Sequence, residues 1–242
     1  MQMLIKLIDE WLQLGQRVAL ATVVKTWGSS PRELGAKMVV TSDGAMAGSV
    51  SGGCVESAVV QECLQVLQDG KIRLLHYGVS DEQAWNVGLA CGGEIDVFIR
   101  PLKADIYLKL KQGLERRISC AYITVINGPT RFIGKEFVVA EDHISDFNVI
   151  GPLSIINQAT YLAFKEKKIL REVYKLDTLD DNSKKSEPTP DEFLEIFVDI
   201  ITPQPTLIIV GGVHIAIPLS EFAKSSGFYT ILIDPRRSFA NK

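Results

Sequence analysis

The stretch from Thr206 to Asp234 leaves the chain little topological freedom. A short apolar stretch, TLIIV, runs straight into Gly211-Gly212-Val213-His214. An amphipathic segment over 215–225 follows and stops at Gly227, and a second apolar run, YTILI, ends at Asp234. Strand, glycine loop, helix, strand and acid, in that order, predict a βαβ unit with parallel strands and a crossover helix. This is how a Rossmann-like dinucleotide-binding fold opens, with loop amides on the pyrophosphate and the acid on a ribose hydroxyl. Gly211, Gly212, His214 and Asp234 are the residues such a site would use, and they make NAD(P) a candidate ligand. Val213 occupies the place of the second glycine of that pattern, where a side chain crowds the pyrophosphate.

The preceding residues follow a different rhythm. Leu4, Leu7, Ile8, Trp11 and Leu12 recur at helical spacing over 3–14. β-branched or apolar runs at 18–25, 37–41, 72–77, 94–100, 118–126, 132–140 and 193–201 predict strands. Helices are expected over 55–68, closed by Gly70, and near 107–115, whereas 154–176 gives no clear signal. The predicted class is α/β: a mixed α/β domain over 1–180, a polar linker and leading strand over 181–204, and an incomplete Rossmann-like domain over 205–242. A faint repeat runs through the first part. Residues 17–21 resemble 117–121, and 35–40 resemble 134–139, which implies two related lobes.

The strongest local motif is Ser51-Gly52-Gly53-Cys54-Val55-Glu56. Two glycines permit backbone conformations closed to other residues, and Cys54 falls near a helix N-terminus, where the dipole favours a thiolate. The free amides there suit an oxyanion as well. The alternative is a tight turn around a small buried residue. Gly88-Leu89-Ala90-Cys91-Gly92-Gly93 is a second loop of this type, so two sulfurs could flank one ligand. Without a C-x-x-C pair or clustered histidines, a zinc site is not indicated. Arg32, in the loop Gly28-Ser29-Ser30-Pro31-Arg32, is either a bidentate anion ligand or a solvated surface residue. Cys63 and Cys120 lie on apolar faces and read as core.

Composition narrows the setting. The formal net charge of -3 gives no basis for nucleic-acid or anionic-membrane binding, and no apolar run is long enough for a membrane span. The four cysteines show no paired spacing and suit a reducing, cytoplasmic compartment.

The run 28–56 resembles the first signature of the XdhC/CoxI family, the xanthine dehydrogenase accessory proteins. Residues 88–101 resemble its second signature, and 206–240 the start of its Rossmann domain. The resemblance implies a protein that binds molybdenum cofactor (molybdopterin), protects it during sulfuration and assists its insertion into a xanthine dehydrogenase-type molybdenum hydroxylase. A cysteine desulfurase would supply the sulfur. Carried over by position, Cys54 and Cys91 become sulfur handlers or molybdenum contacts. Arg32, Ser51, Gly52, Gly53, Glu56, Gly92 and Gly93 become cofactor contacts. Such a role is that of a maturation factor more than of an enzyme. Family members carry glycine at the place of Val213 and continue past that of Lys242, so the chain reads as a short, split or truncated form. Its exposed βαβ unit is expected to be covered by a second copy in a homodimer. Two other functions compete: an NAD(P)-dependent oxidoreductase using the glycine loop at 211, and a non-catalytic assembly partner with inert cysteines.

Overall fold

The computed structural model describes residues 1–53, 55–78, 92–176 and 193–236. The chain forms two compact units, the first reaching Ile201 and the second running from Thr202. In order, the first contains α1 (Gln2–Gln13), β1 (Val18–Trp27), β2 (Lys37–Thr41), β3 (Met46–Gly48), α2 (Glu56–Asp69), β4 (Arg73–Tyr77) and β5 (Glu94–Pro101). It continues with α3 (Ala104–Glu115), β6 (Cys120–Asn127), β7 (Glu136–Ala140), α4 (Ile155–Glu166), β8 (Leu170–Lys175) and β9 (Phe193–Ile201). The chain is α/β, as expected.

These elements make two antiparallel sheets, ordered β3-β2-β1-β5-β4 and β7-β6-β9-β8. Leaving out β3, the two orders are the same topology written twice, one in each lobe. The repeat extends to details. A register shift between Val23 and Lys25 in β1·β5 recurs between Val125 and Asn127 in β6·β9. The C-terminus of α1 is closed by Leu14 N–H to Glu10, Gly15 N–H to Leu12 and Gln16 N–H to Trp11. The C-terminus of α3 repeats this with Arg116 to Gln112, Arg117 to Leu114 and Ile118 to Gly113. Gly15 and Arg117 accordingly both take left-handed backbone, at φ 75° and 59°. Gln16 therefore corresponds to Ile118, which places the 17–21 match two residues away from the true equivalence. The slip is invisible in sequence because a two-residue shift keeps every side chain on its own face of the strand. The 35–40 match with 134–139 is in register: Gly35 N–H donates to Val23 O, and Gly134 N–H to Val125 O.

Each lobe carries its helix on the outer face of its sheet. Val55, Val59, Cys63 and Val66 cover Ala19, Ala21, Val23, Met38 and Val40, whereas Ile156, Ala159 and Ala163 cover Ala121, Ile123 and Val125. The inner faces meet in a cluster built from equivalent residues: Val24 and Ile126, Phe98 and Phe197, Ile72 and Ile169. Full burial of each such side chain contributes about 1.5–3 kcal/mol. Two ion pairs cross the same interface with their signs exchanged. Lys37 pairs with Asp199, and Arg100 pairs with Glu136, all four side chains being less than a tenth exposed. Lys37 and Glu136 occupy equivalent places in β2 and β7, opposite Thr22 and Thr124.

The region without a clear sequence signal holds α4 and β8. α4 ends on Lys167 in left-handed backbone, at φ 52°, so no glycine announces its stop. β8 is half exposed throughout and lacks alternation.

The second unit is β10 (Thr206–Val210), α5 (Ala216–Ser225) and β11 (Tyr229–Ile233), with β10 and β11 parallel. Ile209, Ala216 and Ala223 are buried, whereas Ile208, Val210, Ile217 and Phe222 stay exposed.

Candidate functional site

β1 and β5 end together, with Trp27 opposite Glu94. α2 runs back antiparallel to β4 through the short connection at Gly70, which brings its N-terminus to the same end of the sheet. Three sequence-predicted loops therefore converge. A Cβ on Gly93 would lie 2.8 Å from the carbonyl carbon of Ser29 and 3.0 Å from the Ser30 nitrogen, so the Gly28–Ser30 backbone packs directly on Gly93. On its other side this loop reaches the Gly-Gly turn, where a Cβ on Gly52 would lie 3.6 Å from Pro31 Cβ. The structure thus brings Arg32, Ser51, Gly52, Gly53, Glu56, Gly92 and Gly93 into one neighbourhood. Cys54 and Cys91 lie outside the described residues.

The turn is organised by Glu56, a role the motif alone did not reveal. Its carboxylate accepts the backbone N–H groups of Val50, Ser51, Gly52 and Gly53 at 3.2, 2.9, 3.0 and 2.7 Å, and the Ser49 and Ser51 hydroxyls. Ser51 Oγ in turn accepts Val55 N–H at 3.0 Å. Burial opposes ionisation of Glu56, but the Ser51 and Ser49 hydroxyls and the turn amides outweigh it and hold the carboxyl at about 2. The amides expected to meet an oxyanion are therefore already engaged within the protein. No capping-box pattern announced this role: Ser51 and Glu56 stand five residues apart, and the N-cap of α2 is Val55.

Of the groups in this neighbourhood, Arg32 is the exposed cation, and its guanidinium makes no hydrogen bond or ion pair to another described residue. Cys63 and Cys120 are buried, as expected. Burial, reinforced by Glu62 and Asp142 respectively, pushes their thiols up to about 12 and about 11. Neither supplies a thiolate near neutrality.

In the second unit Gly212 N–H donates to Asp234 Oδ2 at 2.7 Å, and Arg236 donates to Asp234 through Nε at 3.0 Å and Nη2 at 2.8 Å. These bonds, those of Arg236 first, hold the Asp234 carboxyl well below the usual range. The acid expected to receive a ribose is thus bonded to the loop and to Arg236, and His214 is exposed.

No helix among the described residues is long and apolar enough to cross a membrane. Comparison with known proteins gives a consistent picture. Over 110 residues the chain is 39% identical to the molybdenum cofactor insertion chaperone PaoD of Escherichia coli, covering 45% of this chain and 34% of that protein. Over 238 residues it is 25% identical to a probable xanthine dehydrogenase subunit of Bacillus subtilis, covering 96% of this chain and 64% of that one. A crystal structure of a xanthine dehydrogenase from Bacillus halodurans superposes with a TM-score of 0.67 at 25% identity, over 98% of this chain and 64% of the other. The chain thus spans about a third of the chaperone and under two thirds of the others. Residues 11–78, which contain β1, the Gly28–Arg32 loop, the Glu56-pinned turn and α2, match the model of the XdhC and CoxI family.

Proposed function

We propose that this protein binds the molybdenum cofactor as cargo and assists its sulfuration and its insertion into a xanthine dehydrogenase-type enzyme. The observation that carries the reading is the convergence of the Gly28–Arg32 loop and the Gly-Gly turn, both within the residues that match the family model, with Gly92–Gly93 at one sheet end. Arg32 supplies the positive charge for the cofactor's phosphate, a task the turn amides cannot perform while Glu56 holds them. Gly52, Gly53, Gly92 and Gly93 give close backbone approach, and Ser51 and Glu56 fix the turn's shape. Cys54 and Cys91 are the proposed sulfur-handling or molybdenum-ligating groups, with a cysteine desulfurase as sulfur donor in the cytoplasm.

A second copy of the chain is the proposed cover for the βαβ unit. Parallel strands are ordinarily buried on both faces, whereas Ile208 and Val210 of β10 are here 57% and 78% exposed. A monomer by light scattering at micromolar concentration would sink this part.

The test is anaerobic binding of molybdenum cofactor to the purified protein, beside Cys54→Ala and Arg32→Ala. Stoichiometric binding, weakened at least about tenfold by either substitution, supports the reading; absence of binding by the wild type overturns it.

A further inference from the structure

One row of side chains on the between-lobe face gives the two sheets different chemistry. In the second lobe it reads Asn127, Glu195 and Val173 across β6, β9 and β8, with Phe193 two residues away along β9 on the same face. At the equivalent places of the first lobe stand Lys25, Asp96 and His76, with Glu94 beyond. Polar residues serve the topology there, so it does not call for the valine or the phenylalanine. Nor is the valine core, since Val173 is 60% exposed.

These residues bound a cavity of about 270 Å³, lined among the described residues by Asn127, Gly128, Val173, Phe193 and Glu195. It is slightly smaller than the ~300–1,000 Å³ of sites for drug-sized ligands, and suits one or two fused rings. Gly128 gives it a smooth wall. Its φ is 131°, and a Cβ there would lie 2.7 Å from the Phe193 carbonyl oxygen.

The two polar side chains each keep one unused group. Asn127 Oδ1 accepts the Gly128 N–H at 2.9 Å, which leaves Nδ2 with no acceptor among the described residues. Glu195 Oε1 accepts Arg171 Nε at 2.6 Å, and Oε2 receives no donor from those residues, although the side chain is only 14% exposed. Arg171 is itself anchored on the first lobe, through Nη1 to Asp96 Oδ2 at 2.7 Å and to the Val24 carbonyl at 3.2 Å, so it holds the carboxylate in place. Asn127 and Glu195 are cross-strand partners. The Cβ atoms of such partners lie about 4.5–5.5 Å apart, close enough for one ligand edge to meet both side chains.

We propose that this cavity is a second-lobe binding site for a flat heterocycle of the lactam class, the chemistry that oxopurines and pterins share. The ring N–H donates to Glu195 Oε2, the adjacent carbonyl accepts from Asn127 Nδ2, and the ring lies against Phe193 and Val173. A phosphate is excluded by the carboxylate. The inference goes beyond the carrier reading and does not depend on it, because none of these residues belongs to the loop of Arg32 or to the Gly-Gly turn.

The experiment is calorimetric titration of the full chain with hypoxanthine and with biopterin. Adenine is the control, a purine of similar shape whose edge presents donor and acceptor in the reverse order. Saturable binding of either lactam below about 1 mM, with adenine at least about tenfold weaker, supports the site; hypoxanthine alone identifies an oxopurine ligand, and biopterin alone a pterin. Asn127→Asp keeps an acceptor for the Gly128 N–H and removes the donor, so it should weaken the lactam at least about tenfold with an unchanged denaturation midpoint. No saturable binding of either lactam, equal binding of adenine, or unchanged lactam affinity in Asn127→Asp overturns the inference. In each case the carrier reading stands or falls on its own anaerobic test.

Discussion

Glu56 shows how much one side chain can decide. Six donors point at two oxygens, so replacing the carboxylate with an amide turns one acceptor into a donor facing donors. Glu56→Gln should cost about 2–3 kcal/mol in denaturant unfolding. The pH dependence has a definite sign. Because the folded carboxyl sits near 2 and an ordinary one near 4.5, the stability Glu56 contributes is complete above about 4.5 and is lost as pH falls toward 2. The variant should therefore lose less stability than the wild type across that interval. The buried thiols give a second residue-scale expectation. Cys63 and Cys120 should resist alkylation at neutral pH in the native protein and react once it is unfolded, as mass mapping of the modified peptides would show. Rapid native labelling of either would contradict their burial.

At the scale of elements, the duplication predicts paired behaviour. Gly35 and Gly134 are equivalent, and both take left-handed backbone, at φ 81° and 76°. A Cβ on Gly35 would meet Ile169 Cδ1 at 2.6 Å, and one on Gly134 would fall on Ile72 Cδ1. Ile72 and Ile169 are themselves equivalent, so each lobe's glycine makes room for the other lobe's isoleucine. Gly35→Ala and Gly134→Ala should each destabilise by roughly 1–3 kcal/mol, and shortening the facing isoleucine to valine should relieve part of each loss. A neutral result for one glycine and a large loss for the other would break the equivalence. The repeat itself was faintly legible in sequence through 35–40. The match of 17–21 with 117–121 was misplaced by two residues, because strand alternation conceals an even slip while hydrogen-bond geometry does not.

For the first unit as a whole, the exchanged ion pairs at the sheet interface are the decisive feature. Arg100 is buried with Glu136, and its removal leaves that buried carboxylate with only the Tyr122 hydroxyl and the half-exposed Lys103 as partners. Arg100→Met alone should cost about 3–5 kcal/mol, whereas Arg100→Met with Glu136→Leu should recover most of it, read as a coupling energy in a double-mutant cycle. Additive losses would mean that the pair does not interact. Neither pair could be read from sequence. Lys37 and Asp199 are far apart in the chain and look like ordinary surface charges until two sheets close over them.

By itself the sequence determined the local pieces. Apolar period, glycine stops and β-branched runs were enough for nearly every strand and helix, for the parallel βαβ unit, and for the glycine-rich loops with Arg32 as a candidate site, because these depend on neighbours within a few residues. The tertiary structure decided what those pieces do to one another. It turned the Gly52 and Gly53 amides inward onto Glu56, stacked two versions of one topology face to face, and set His76, Asp96 and Arg171 in line across them. Contacts of that kind depend on register between distant strands, where a two-residue shift preserves the apolar pattern and changes every partner.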